Sequence, residues 1–289
     1  MSGKPILSVA LITYNQEEFI ADCLEGMVHQ ECTYSFEIVI GEDCSTDKTR
    51  AICLEYKEKY PELIRLAFPE HNLGMMGNWI HTISSCTGKY TAICEGDDYW
   101  TDNKKLQKQI DFLEAHPDFS LCSTAAQRFY YGRFWDAPIS KEVLTTEDLL
   151  LEDWGIMTAT IVFRSSMLDM PDWFKLVKNG DYTLQLLLSL KGNVGCLPDA
   201  TSVYRQHPGG VSNSLTAYRQ ACWLIYLLWE FNKYTNRKYY PFIKQKIKRV
   251  YKNQIGFAKE NQLRKAYWKL RFFSILSTIS PFMIKNFRK

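Results

Sequence analysis

KYTAICEGDDYW, residues Lys89–Trp100, runs from a mostly apolar stretch into three carboxylates within four positions, Glu95, Asp97 and Asp98, and then into two bulky aromatics. KYTAIC has the length and the β-forming residues of a buried strand. Acids after a strand commonly serve only as a solvated turn or the cap of the next helix. Here Thr101 and Asp102 stand nearer to the following helical pattern, TDNKKLQKQIDFLEAHPD, so the acidity at 95–98 is left without a structural task. In open α/β sheets, ligands lie outside the carboxyl ends of the parallel strands. Clustered carboxylates at such an end hold Mg²⁺ or Mn²⁺, and through the metal a diphosphate.

Working outward, the same pattern recurs. ILSVALIT, residues 6–13, is a nearly unbroken apolar run, as expected of a parallel strand covered on both faces. Between Glu17 and Gln30, Phe19, Ile20, Cys23, Leu24, Met27 and Val28 fall on one helical face. FEIVIG from Phe36 predicts a second strand, and STDKTRAICLEYKEKY a second helix with cap candidates at Ser45, Thr46 and Asp47. LIRLAF at 63–68 and MGNWIHTISSC add a third strand and helix before the strand at 89–94. This alternation predicts an α/β fold with a mostly parallel sheet flanked by helices. From about 120 to 212 the pattern is mixed, with TATIVF strand-like and YTLQLLLSL helical, and beyond about 213 it is helical and basic.

Composition sets the limits. With 289 residues and 46% hydrophobic content the chain can bury a large core as one domain or two joined ones. Nine cysteines form no CxxC pair and are odd in number, which argues against a zinc site or a complete disulfide framework. No basic-then-apolar leader opens the sequence, so a cytoplasmic location is the expectation. Net charge is uneven: residues 241–289 hold 13 Lys or Arg against the single acid Glu260, giving +12, while residues 1–240 hold 22 basic and 31 acidic side chains, giving −9. Neither GxGxxG nor GxxxxGK[ST] follows any predicted strand, which disfavours a dinucleotide or P-loop enzyme.

SVALITYNQEEFIADCLEGMVHQ, FEIVIGEDCSTDKT, NLGMMGNW and GKYTAICEGDDYWTDNKKLQKQIDFLE, in this order, resemble the N-terminal half of the family 2 glycosyltransferases, inverting enzymes of the GT-A fold that use nucleotide-activated sugars. The resemblance is dense over residues 5 to about 115 and thinner at NGDYTLQLLLSLKG and VYRQHPGGVS. It implies a nucleotide-sugar-binding half at 1–115, an acceptor-binding half of the same domain at 116–212 and a helical, basic extension at 213–289. Thr13, Tyr14 and Asn15 resemble the first nucleotide-contacting segment, with Tyr14 against the base. Glu42 and Asp43 resemble the acidic pair that accepts from the base, which suits the ring N–H of uracil. Glu95, Gly96, Asp97 and Asp98 cover a DxD-like motif, with Asp97 and Asp98 as metal ligands. Glu stands at 42 and 95 where the family more often has Asp, and Cys44 where it more often has Gly.

Inverting transfer needs a base opposite the leaving diphosphate. Asp181, in NGDYTLQL, resembles the family's acid at the head of a helix, and is also placed as an N-cap. Arg205 and His207 in YRQHPGG are the candidates at the diphosphate, His207 also completing the metal shell. Tyr99 and Trp100 form a candidate platform for sugar or acceptor, or else are core; the acceptor is expected near Trp154–Thr160. His29, His71, His81 and His116 read as surface or packing residues.

The expected partners are a nucleotide-sugar donor, a UDP-sugar favoured, and a glycan or lipid-linked acceptor, with no nucleic acid. The apolar stretch Phe272–Ile284 is too short to span a bilayer, and its basic surroundings fit either an interfacial helix on the anionic inner face of the cell membrane or a helix packed on the catalytic domain. Two rivals are a nucleotidyltransferase, against which the acidic TYNQEEF loop counts, and a noncatalytic glycan binder, which leaves the acids at three strand ends unexplained.

Overall fold

The computed structural model describes residues 4–153, 155–210 and 217–260. The chain divides into two compact units, one of residues 1–146, 154–176 and 180–206, the other of residues 147–153, 177–179 and 207–289. The second unit thus takes in two short segments from the middle of the chain.

The first unit is a sheet with helices. β1 (Leu7–Thr13) is buried at every position because it lies between two parallel neighbours, β2 (Phe36–Glu42) and β4 (Tyr90–Glu95), under helices. That environment is why its sequence is continuous rather than alternating. β3 (Ile64–Leu66) extends the parallel edge beyond β2. On the other side of β4 the sheet continues through β9 (Val162–Arg164), antiparallel to β4 and to β6 (Phe119–Tyr130), and then β10 (Asn193–Arg205), parallel to β6. The order is β3-β2-β1-β4-β9-β6-β10-β5, where β5 is the pair Tyr99–Trp100; β7 (Arg133–Ala137) pairs β6 and β8 (Val143–Leu144) pairs β10.

α1 (Ile20–Val28) buries Ile20, Cys23, Leu24 and Met27 at helical spacing against the sheet. Each such fully buried aliphatic contributes about 1.5–3 kcal/mol. Gly26 lets α1 approach β5, since a Cβ there would lie 2.7 Å from the Trp100 carbonyl oxygen. α2 (Thr49–Lys59) buries Cys53 and Tyr56, and α3 (Gly74–Ser85) buries Met76, Trp79 and Ile83. Gly41 of β2 is required by α3: a Cβ would fall 1.7 Å from Thr82 Oγ1. α4 (Lys105–Ala115) buries Leu106, Ile110 and Leu113. Its expected cap is half met. The Asp102 carboxylate accepts the Lys104 N–H at 2.8 Å, and Gln30 Oε1 accepts the Leu106 N–H at 3.1 Å, while the Thr101 N–H goes to the Thr201 carbonyl. α5 is Thr146–Leu151 and α6 is Gly180–Ser189.

Among the described residues of the second unit, the long helices are α7 (Ala217–Tyr234) and α8 (Tyr240–Glu260). α8 buries Ile243, Ile247 and Tyr251 and exposes Lys248, Lys252 and Lys259. Among the described residues no helix is long and apolar enough to cross a membrane. The reading of Phe272–Ile284 as an interfacial or packed helix, and the reading of Trp154, lie outside the described residues.

Candidate active site

The carboxyl ends of β2, β1 and β4 lie side by side, so three of the quoted motifs share one rim. The loop after β1 and the loop after β2 are latched together. The Asn15 N–H donates to Ser45 Oγ at 2.9 Å, Asn15 Oδ1 accepts the Thr46 N–H at 2.8 Å, the Gln16 N–H donates to Thr49 Oγ1 at 2.8 Å and the Glu17 N–H to Asp47 Oδ2 at 3.1 Å. Ser45 and Thr46, expected as caps of their own helix, therefore brace the neighbouring loop; Asp47 does both, since its Oδ1 accepts the Thr49 N–H. The latch places Asn15 and Cys44 in the left-handed region, at φ 51° and 59°. At such a φ glycine is the least strained residue, which is the physical sense of the family's commoner Gly where this chain has Cys44.

Asp43 is buried at the end of β2. Its N–H donates to the Thr13 carbonyl at 3.1 Å, its Oδ1 accepts the Leu73 N–H at 2.7 Å, and its carbonyl accepts from Asn72 Nδ2 at 2.7 Å. NLG is thus drawn to the rim as the fourth motif. Tyr14 is 46% exposed beside this group, free of core packing on one side. Glu42 is fully buried and pairs with Arg50, while its other oxygen accepts the Ser45 N–H. Its carboxylate shapes the loop that carries Asp43.

At the end of β4, the Gly96 N–H donates to the Ile12 carbonyl at 2.9 Å. A Cβ on Gly96 would lie 2.6 Å from Gln16 Oε1 and 2.7 Å from Thr13 Oγ1, so any side chain there would make Gln16 and Thr13 shift where the acidic turn closes on β1. Asp98 is 1% exposed, and its Oδ1 accepts the Arg205 N–H at 2.9 Å. Asp98 thus has a structural task that the sequence reading did not foresee, joining the β4–β5 turn to β10; burial first, then the charges of Asp97 and Glu95, push its carboxyl well above the usual carboxylate range. Glu95 is pushed up to about 8, by burial first and then by Asp97 and Asp181, against a relieving hydrogen bond from Thr158. That coupling brings Asp181, in the first turn of α6, into the field of the same acids. Gly180 permits this approach, with Met76 of α3 at 3.1 Å from a Cβ placed there.

Arg205 is held at the rim. Its Nη1 donates to the Asp97 carbonyl at 3.1 Å, its Nη2 to Asp22 at 2.5 Å, and its guanidinium lies over the rings of Tyr99 at 4.1 Å and Phe19 at 5.4 Å. Tyr99 is therefore a seat for Arg205. Trp100 is 4% exposed, its Nε1 donates to the Ala159 carbonyl at 2.9 Å and its ring covers Lys105, so it is core and not a platform. His207 opens the second unit, where its carbonyl accepts the Gly210 N–H.

Thr158, Asp22 and Phe19 belong to this site and carried no signal of function in the sequence. Thr158 sits in a 3-10 turn, Thr158–Thr160, just before β9, and no spacing rule marks a hydroxyl there.

Among the described residues no three His, Cys, Asp or Glu side chains form a group able to hold a metal unaided. The donor set nonetheless fits Mg²⁺ or Mn²⁺ held by one or two carboxylates with the remaining positions filled by substrate phosphates, as is usual for Mg²⁺. The carboxylates that would supply such a donor set are Glu95 and Asp97, in the turn after β4 that the Gly96 N–H closes on the Ile12 carbonyl.

A family model described as Glycosyl transferase family 2 matches residues 8–169. The chain is 34% identical over 228 residues to an uncharacterized protein of Mycobacterium tuberculosis, covering 75% of this chain and 63% of that protein. It is 26% identical over 200 residues to the UDP-Glc:alpha-D-GlcNAc-diphosphoundecaprenol beta-1,3-glucosyltransferase WfgD of Escherichia coli, covering 66% of this chain and 73% of that one. Among solved structures, S. aureus TarS 1-349 in complex with UDP-GlcNAc superposes with a TM-score of 0.64 at 16% identity, covering 91% of this chain and 90% of that one. At that identity the likeness speaks for the fold, which is that of the GT-A glycosyltransferases.

Proposed function

The chain belongs to glycosyl transferase family 2, and from that premise we propose that it transfers a sugar from a UDP-sugar to a glycan or lipid-linked acceptor, with inversion and with a divalent metal. The observation that carries the reading is the convergence of Asn15, Asp43 and Asp97 on one sheet rim with Asp181 in the electrostatic reach of Glu95. UDP as the nucleotide is supported by the UDP-sugars that WfgD and TarS carry in their names, and a lipid-linked diphosphate acceptor by the name of WfgD.

In this reading Tyr14 lies along the base, and Asp43 accepts from the ring N–H. Asp97, with Glu95 beside it, would hold the metal, which would supply positive charge for the departing diphosphate. Arg205, fixed by Asp22, Phe19 and Tyr99, adds a positive charge that needs no reorganisation as the bond breaks. Asp181, in the first turn of α6, takes the proton of the acceptor hydroxyl while the hydroxyl oxygen bonds to the anomeric carbon on the face opposite the breaking C–O bond.

The test is thermal unfolding and donor turnover with a panel of nucleotide sugars and Mn²⁺ or Mg²⁺. UDP with metal is expected to stabilise the protein, and chelation or Asp97→Ala to remove that stabilisation. Asp181→Asn should keep it while lowering transfer by about 10² or more. Full transfer by Asp181→Asn would remove that residue from the chemistry.

A further inference from the structure

The β6–β7 hairpin is not needed to close the core, yet it rises from the rim of the candidate active site. Phe129 pairs with Arg205, whose own N–H is the one held by Asp98. Beyond that point the ribbon is covered with aromatics and arginines: Tyr131 is 84% exposed, Phe134 53% and Trp135 47%. The register sets Arg128 opposite Trp135 and Tyr130 opposite Arg133, and alternation along paired strands puts these four on one face. Asp136 lies on the other face, hydrogen-bonded to Gln127, so the first face has two cations, two aromatic rings and no carboxylate.

Two further observations tie this face to the acceptor side. Arg128 Nη2 lies 3.8 Å from where a Cβ of Gly155 would be, and three residues later in that loop Thr158 bonds Glu95. The hairpin tip is also strained: Tyr131 and Gly132 both have positive φ, 48° and 73°, as a two-residue turn of this kind requires. A large ring at the first position is costly, where Asn would fit at less strain. The Tyr131 ring packs at 4.0 Å from that of Tyr130, so the tip presents a continuous aromatic surface.

We propose that this hairpin face binds the acceptor as an acidic glycan, the rings of Tyr130 and Trp135 lying against sugar faces and Arg128 and Arg133 pairing with its carboxylates or phosphodiesters. The inference rests on the transferase reading for the ligand being an acceptor; charge complementarity and continuity with the rim argue for an acidic chain. Arginine forks match either anion bidentately, and aromatic faces supply the apolar contact that C–H-rich sugar faces need.

The experiment measures binding of the full chain to oligogalacturonate, to glycerol phosphate oligomers and to neutral maltoheptaose, by tryptophan fluorescence at low and raised salt, with UDP plus Mn²⁺ stabilisation recorded on the same samples. At least one acidic oligomer should bind about tenfold or more tightly than maltoheptaose, and salt should weaken it. Trp135→Ala and Arg133→Gln should each weaken it about tenfold, with Trp135→Phe recovering much of the loss. Tyr131→Asn should raise the melting temperature while weakening binding, an opposition that a purely structural tip would not produce. Equal binding of neutral and acidic oligomers, or unchanged affinity in Trp135→Ala and Arg133→Gln, overturns the proposal. So does a fluorescence response to phosphatidylglycerol vesicles with none to glycans, which would make the hairpin a membrane wedge. Absence of UDP stabilisation in the wild type counts instead against the transferase reading, and the glycan affinities are read separately from it.

Discussion

Single residues decide how the acidic turn works. Asp98 and Asp97 are neighbours, but the Asp98 carboxylate is spent on the Arg205 N–H, whereas Arg205 Nη1 meets the backbone carbonyl of Asp97. Asp98→Asn keeps an oxygen acceptor for that N–H, so it should fold as the wild type does and retain metal-dependent UDP stabilisation, whereas Asp97→Asn should lose it. Loss in both, measured by thermal shift, would return Asp98 to the metal. Below the sheet, Lys105 is fully buried, hydrogen-bonded to Gln109 Oε1 at 2.5 Å and covered by the Trp100 ring at 4.6 Å. Burial lowers its pKa from 10.5 to about 8. A depressed lysine binds fewer protons folded than unfolded between those values, so its contribution is favourable above about 10.5 and is lost as pH falls through about 8. Wild-type stability measured in urea should therefore rise, relative to Lys105→Met, by on the order of 3 kcal/mol between pH 7 and 10.5, since each tenfold change in proton affinity corresponds to about 1.4 kcal/mol. A parallel pH dependence in the two proteins would mean that Lys105 is solvated. Nothing in KKLQKQ marked this lysine as internal, because burial of a charged side chain depends on Trp100 and Gln109 meeting it in space.

At the scale of elements, the first half was legible and the second was not, for a reason of chain chemistry. β1, β2 and β4 are covered on both faces and leave continuous apolar runs, so both their existence and their ligand-bearing ends could be read. β6 and β10, of 12 and 13 residues, carry small and polar side chains such as Ser123, Thr124, Thr201 and Ser202 into buried positions. There Thr124 Oγ1 and Thr201 Oγ1 satisfy one another at 2.7 Å, and β10 shifts register around Pro198 and Asp199. Neither feature produces a period. α1 begins at Ile20 rather than Glu17 because the backbone of Gln16 and Glu17 is used in the latch to Thr49 and Asp47. TATIVF divides into a 3-10 turn and β9 because Thr160 Oγ1 turns back to the Met157 carbonyl. The most exacting contact between elements is Gly41 against α3, where Asn78 Nδ2 donates to the Gly41 carbonyl and Thr82 Oγ1 occupies the position of a Cβ. Gly41→Ala should cost about 1–3 kcal/mol by overpacking. It should also weaken UDP binding, because Leu73, whose N–H orients Asp43, directly precedes α3. Thr82→Ala in the same chain should recover part of both losses, and independence of the two changes in a double-mutant cycle would show that α3 does not transmit the strain.

For the whole molecule, the sheet and the basic helical part answer to different partners. In the proposed reading the rim's acids take a cation and phosphates, and the formal charge of −9 on residues 1–240 makes a bare polyanion such as nucleic acid an unfavourable ligand there. Residues 241–289 carry +12, and in α8 the apolar positions Ile243, Ile247 and Tyr251 are buried while Lys248, Lys252 and Lys259 are solvated on another face. A lysine near an anionic lipid surface contributes about 1 kcal/mol, and the attraction decays over a screening length of about 8 Å at physiological salt. The expectation is that the protein sediments with vesicles containing phosphatidylglycerol but not with phosphatidylcholine alone, and that the bound fraction falls as salt is raised from about 50 to roughly 300 mM. Deleting residues 265–289 should lower the bound fraction further than Lys248→Gln and Lys252→Gln together if the apolar stretch Phe272–Ile284 enters the interface, because inserted apolar area resists salt and point charges do not. An unchanged distribution after the deletion, with binding abolished by the two lysine changes, would assign the attachment to α8 alone; no sedimentation of any form would leave the +12 segment without a role at a membrane.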